Sequence, residues 1–188
     1  GWLDNFDPMW TPNTTDANSR RYCFARQPEI ARWNLERLAD ALSLLTPGDR
    51  TLHAELESFD KAYSAAFETA FAAKFGLQAW RIGDGKMVET AFTLMHRAEI
   101  DMTLFFRRLA QVEIDAPDLA ILNDAFYSQA RITEHCVELE SWLHLWSKRV
   151  ASDNGDTEQR RLRMNRANPK FVIRNYLAQQ AIYGAEQG

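Results

Sequence analysis

Apolar residues recur at three- and four-residue steps along most of the chain, the spacing of one face of an α-helix. Ile30, Trp33, Leu35, Leu38, Leu42 and Leu45 trace a first helix, entered through Gln27-Pro28 and stopped by Thr46-Pro47-Gly48. Proline suits a first helical turn, where its missing N–H is not needed, and Pro-Gly cannot continue one. Leu52, Leu56, Phe59, Tyr63, Phe67, Phe71 and Phe75 mark a second helix that ends at Gly76. A third follows Gly83-Asp84-Gly85 and carries Val88, Phe92, Met95, Ile100, Leu104, Phe105 and Leu109. The pattern resumes from about Asp118 to Ala151 through Leu119, Leu122, Phe126, Ile132, Leu139, Trp142, Leu143 and Trp146, as one helix or two. Ser152-Asp153-Asn154-Gly155-Asp156 reads as a loop, with a basic helix from about Thr157. The last helix is expected to open at Asn168-Pro169, with Asn capping free N–H groups and Pro in the first turn. No alternating, β-branched run of strand type stands out, so the expected class is all-α.

Composition narrows the possibilities. A length of 188 residues fits one domain, or one lobe of a larger one. The turn-rich stretch before the first helical period divides the chain into a loop, residues 1–27, and a single helical domain, residues 28–188. A hydrophobic share of 46% with 12% aromatics is that of a packed body and excludes a disordered chain. The formal charge of −4 gives no reason to expect nucleic acid or an anionic membrane as a partner. No apolar run approaches the ~18 residues of a membrane helix. Cys23 and Cys136 are far apart and neither belongs to a CxxC pair, which argues against a disulfide framework or a cysteine zinc site. A reducing compartment fits.

Each chemically suggestive feature has a structural counterpart. The aromatic stripe Phe59–Phe75, and Trp142 with Trp146 one turn on, have the spacing of a buried helix face and are expected to be core. A di-iron bundle needs Glu-x-x-His on two helices. His96-x-x-Glu99 has the reverse order and no second copy, and His135 and His144 do not share a face, so surface or hydrogen-bonded histidines are expected. Gly83-Asp84-Gly85 is a turn signal, not a phosphate loop. The basic run Arg160, Arg161, Arg163, Arg166, Lys170 and Arg174 could hold a phosphate or a nucleic-acid backbone, but shows no pattern of interleaved exposed aromatics and no helix-turn-helix arrangement. It reads as a solvated face paired with acidic helices, except Arg174, which sits among apolar residues and suits a buried structural role. Asp4, Asp7, Asn13 and Asp16 could ligate a divalent ion, yet their spacing is not that of an EF-hand. Turn and cap roles are expected for them, with Arg20 and Arg21 beside them as ion-pair partners or contacts to another protein.

Three ordered blocks then carry a resemblance. The first is Asp4-x-x-Asp7-Pro8, Asn13-x-x-Asp16, Arg21-Tyr22-x-Phe24, Gln27-Pro28-x-Ile30 and Trp33-Asn34-Leu35-x-Arg37-Leu38-Ala39. The second is Asp101-x-Thr103-x-x-Phe106-Arg107-x-Leu109, and the third Asn168-Pro169-x-x-Val172-x-Arg174-Asn175-x-Leu177-Ala178-Gln179. Together they resemble selenoprotein O and its bacterial YdiU-type relatives. The resemblance implies a protein-kinase-like adenylyltransferase that binds ATP in a flipped orientation and transfers AMP to Ser, Thr or Tyr hydroxyls of protein substrates. Mg or Mn and cationic side chains would neutralise the phosphates while a carboxylate handles the acceptor hydroxyl.

The resemblance also implies what this chain lacks. In the family, the segment matching Gly1-Trp2-Leu3-Asp4 directly follows the metal-binding Asp-Tyr-Gly-Pro-Phe motif, so that motif, the catalytic loop and the nucleotide-binding N-lobe would lie upstream. No residue of this chain is therefore assigned a catalytic, cofactor-binding or metal-binding role. It would be the helical C-lobe portion with the family's C-terminal helices, residues 1–27 forming an activation-segment-like loop that packs poorly without its N-lobe. Where many relatives have Cys-Asn-His-Ser-Asp, this chain has Pro12-Asn13-Thr14-Thr15-Asp16, which removes a cysteine from that point. The abrupt ends suggest a piece of a longer protein, inactive alone, partnered by the missing kinase-like lobe. The location expected is cytoplasmic in bacteria and mitochondrial in a eukaryote. The competing reading is a free-standing helical interaction module, and the reading frame upstream of Gly1 separates the two.

Overall fold

The computed structural model describes residues 4–11, 14–16, 18–46 and 51–187. The fold is all-α: seven α-helices and three short 3-10 turns form among the described residues, and no β-strand does. None of these helices is long and apolar enough to cross a membrane. The helices are α1 Gln27–Ser43, α2 Thr51–Phe75, α3 Asp84–Arg97, α4 Met102–Leu109, α5 Gln129–Ala151, α6 Thr157–Ala167 and α7 Asn175–Glu186. The chain divides into two compact units, residues 8–69 and residues 1–7 with 70–188. The last turns of α2 thus belong with the helices that follow.

The larger unit holds the main core. Trp146, Phe75, Phe105, Phe106, Leu139 and Met164 are all buried to 1% exposure or less. α3 packs on α5, and α4 packs on α6 and on the 3-10 turn Leu119–Ala125. Buried indoles need partners for their N–H groups, and both find backbone carbonyls: Trp142 Nε1 donates to Met87 O and Trp146 Nε1 to Phe75 O, each at 2.9 Å. The expected packing of this pair is therefore found. The Phe stripe divides: Phe75 is fully buried and Phe71 meets Phe92 edge-on at 5.5 Å, whereas Tyr63, in the other unit, is 39% exposed.

Two helix boundaries differ from expectation. The single helix foreseen from Val88 to Leu109 is two, α3 and α4, because Glu99 takes φ 53° and Ile100 makes an antiparallel bridge to Phe126. The step from Met95 to Ile100 is five residues, which a 3.6-residue period does not supply. The last helix does not open at Asn168. Asn168 ends α6, donating to Met164 O at 2.9 Å and Lys74 O at 3.1 Å, and the chain then runs without regular structure to Arg174. Gly76 does end α2: φ is +76° and Leu77 N donates to Ala72 O, as in a left-handed C-terminal cap. Pro47 and Gly48 lie outside the described residues.

The opening segment is irregular, as expected, but not poorly packed. In the larger unit Phe6 is buried and its N–H donates to Ile100 O at 2.8 Å. In the smaller unit Cys23 is fully buried and Asp16 organises a turn, accepting from Arg21 N and Tyr22 N at 2.8 and 2.7 Å.

Candidate functional site

Asp101 joins several separate segments of the larger unit. Its extended backbone, ψ 109°, places it at the N-cap of α4, where Oδ1 accepts from Leu104 N at 2.9 Å. Oδ2 accepts the Tyr127 hydroxyl at 2.9 Å and an Nη1 hydrogen bond from Arg174. Its N–H donates to Ala125 O at 2.7 Å, and it forms an antiparallel bridge with Asn5. With 1% exposure, the carboxylate is shielded from solvent and met by three protein donors. Next to Arg174, Asn175 donates from Nδ2 to Asp4 Oδ2 at 2.7 Å. The start of the chain, α4 and the approach to α7 are therefore tied at one place.

The electrostatics follow from burial and neighbours. Burial, then the hydrogen bond to the Asp101 carboxylate, pushes the Tyr127 hydroxyl well above the usual phenol range, so it stays a donor. Burial works against the charge of Arg174, but Asp101 outweighs it and the guanidinium pKa is raised. An aspartate with both oxygens engaged is a positioning group, not a free base.

A second network forms at Asp84, where the sequence Gly83-Asp84-Gly85 reads only as a turn signal. Asp84 is 3% exposed, and Arg149 grips it bidentately, Nε to Oδ1 at 2.7 Å and Nη2 to Oδ2 at 2.9 Å. Arg149 also bonds Asp153 Oδ1 at 2.8 Å and Ala79 O at 2.8 Å, so the start of α3 is riveted to the end of α5. The signal available was an Asp in the first turn of a helix, and a partner 65 residues away leaves no local trace. Lys74 was missed too. Its Nζ donates to Asn168 Oδ1 at 2.7 Å and lies 4.5 Å from the Phe106 ring centre, and burial pulls its pKa down to about 8.

The residues weighed from sequence are not brought together. Asp4 and Asp16 lie in different units, and Asn13 is outside the described residues. Ser19, above all, with the Tyr22 and Arg21 amides, holds the Asp16 carboxyl below its usual range. Arg21 lies over the Trp33 ring at 3.7 Å, and Arg20 is exposed. His96 Nδ1 is 3.4 Å from Phe6 O, His135 Nδ1 is 3.1 Å from Glu138, and His144 is exposed; the side chain of His53 is not described. Among the described residues no three of His, Cys, Asp and Glu converge as metal ligands. The basic run splits: Arg161 pairs with Glu113, as expected of a paired face, while Arg174, set apart from that face in the sequence, pairs with the buried Asp101. Arg160 instead is 2% exposed and donates to Val112 O at 3.0 Å.

This arrangement coincides with the three blocks singled out in the sequence: Asp4 belongs to the first, Asp101 to the second, and Arg174 with Asn175 to the third. The family model described as "Protein adenylyltransferase SelO" matches residues 1–187. Proteins named "Protein nucleotidyltransferase YdiU" are similar along the whole chain: 50% identical in Tolumonas auensis, 51% in Methylobacillus flagellatus and 50% in an Azoarcus species. The chain spans 36% of the length of each of these relatives. By a match that runs from its first residue to its last but one, the chain belongs to the SelO family.

Proposed function

We propose that this chain is the helical C-terminal part of a protein adenylyltransferase that moves AMP from ATP to Ser, Thr or Tyr hydroxyls of other proteins. The observation that carries the reading is the family match over residues 1–187. Residues 1–27 would form its activation-segment-like loop, within a kinase-like body located in the bacterial cytoplasm. Among the described residues the donor set does not fit a divalent metal: the buried carboxylates of Asp16, Asp84 and Asp101 are each held by protein donors. The nucleotide and metal site then belongs to the part of the polypeptide that these 188 residues do not span. What this chain supplies is position. Asp101 and Asn175 hold residues 4 and 5 against the helical body, so whatever precedes them starts from a fixed point.

The test compares this chain with the polypeptide of its complete reading frame, using radiolabelled AMP transfer and calorimetric titration of ATP with Mg or Mn. The longer polypeptide is expected to transfer AMP, and the chain alone to do neither, because each lost preorganised charge costs about 10² or more in rate. ATP binding or labelling by the 188-residue chain itself would overturn this. A complete frame without a nucleotide-binding lobe would favour the non-catalytic interaction module.

A further inference from the structure

The last helix is composed like one from a protein interior, yet it lies in the open. α7 carries a single charged residue, Glu186 at its end, and none of its residues is buried. Tyr176 and Tyr183, 61% and 57% exposed, lie on one side; Leu177 and Ile182, with alanines between them, cover much of the other. The stretch leading in is similar, with Phe171 and Ile173 81% and 75% exposed. Gln179 and Gln180 lie on the tyrosine side, so the continuous apolar face is the one with Leu177 and Ile182, and such a face is normally covered. One of twelve residues is also too short to hold itself together in water. Contiguous exposed apolar surface of this kind marks a place where something binds.

Three observations say what covers it. The family match runs to residue 187, so α7 belongs to the shared unit and not to a variable tail. The relatives are much longer than the chain, which spans 36% of them. And α7 is tethered at its first residue, Asn175, to Asp4, at the beginning of the described chain. The flank is basic: Arg166 and Lys170 are exposed, and no acidic residue occurs between Glu158 and Glu186.

We propose that α7 and Phe171–Ile173 are the docking surface for the part of the family polypeptide that this chain does not span, and that the matching face is apolar with an acidic rim. This rests on reading the chain as part of a longer enzyme.

The test is amide hydrogen exchange, followed by mass spectrometry, over residues 175–186. The 188-residue chain and the polypeptide of the complete reading frame are compared. Exchange in this peptide is expected to slow 100-fold or more in the longer polypeptide. The double substitution Leu177→Glu with Ile182→Glu should abolish that slowing while leaving exchange in α5 unchanged. Equal rates in both polypeptides overturn the proposal, whether both are fast or both slow. Protection that rises with concentration of the 188-residue chain alone also overturns it, since a second copy is then the occupant. The readout is independent of AMP transfer, so an active polypeptide with an unprotected α7 sinks this inference without touching the proposed function.

Discussion

Asp101 serves several connections with one side chain and one backbone, which makes its replacements informative. Alanine removes the α4 cap and leaves Arg174 and the Tyr127 hydroxyl without their acceptor. Breaking a buried pair from one side typically costs about 3–5 kcal/mol, so Asp101→Ala should lower unfolding stability in urea by that order. Asp101→Asn keeps an acceptor for Leu104 N and should cost about half as much; equal losses would mean the cap contributes nothing. Lys74 gives a prediction in pH. Its folded pKa of about 8 lies below the reference 10.5, so between those values the unfolded chain binds the extra proton and stability rises with pH. Below pH 8 the penalty of the buried charge is fully present. Lys74→Met should flatten the rise between pH 8 and 10.5 in denaturant titrations, and an unchanged slope would refute this account. Sequence gave partial access to these residues. Arg174 announced itself by its apolar neighbours, but Lys74 did not, because its partners Asn168 and Phe106 are 94 and 32 residues away.

Helix ends separate what local sequence encodes from what packing decides. The stop at Gly76 was legible because φ +76° is a backbone conformation that glycine adopts without strain. The same glycine has a second duty that no sequence rule records: a Cβ there would lie 2.7 Å from Met164 Sδ and 3.0 Å from Arg160 Cγ. Gly83, with φ +100°, would meet nothing within 4 Å. Gly76→Ala should therefore cost at least about 2 kcal/mol, strain plus overpacking, and Gly83→Ala about 1 kcal/mol, strain alone. Thermal unfolding of the two variants compares them directly, and equal shifts would show that α6 yields freely to the added methyl. The start of α7 was not legible. Asn-Pro is a good helix opener in isolation, but Asn168 does more by joining α2 to α6 through its side chain. The break between α3 and α4 was visible only as one irregular step in an otherwise regular pattern.

For the molecule as a whole, the all-α class followed from periodicity and the family from three blocks, both without coordinates. What the blocks share was not visible: residues from all three meet around Asp101 and Asn175. Linear separation hides such a meeting, since Asp4 and Asn175 are 171 positions apart. That separation also sets an order of events at the ribosome. A chain elongating at roughly 5–20 residues per second needs about 10–35 s between Asp4 and Asn175. Asp101, the bridge partner of Asn5, is synthesised little more than halfway through this stretch. Residues 4 and 5 must therefore wait longer for Asn175 than for Asp101 before both contacts can exist.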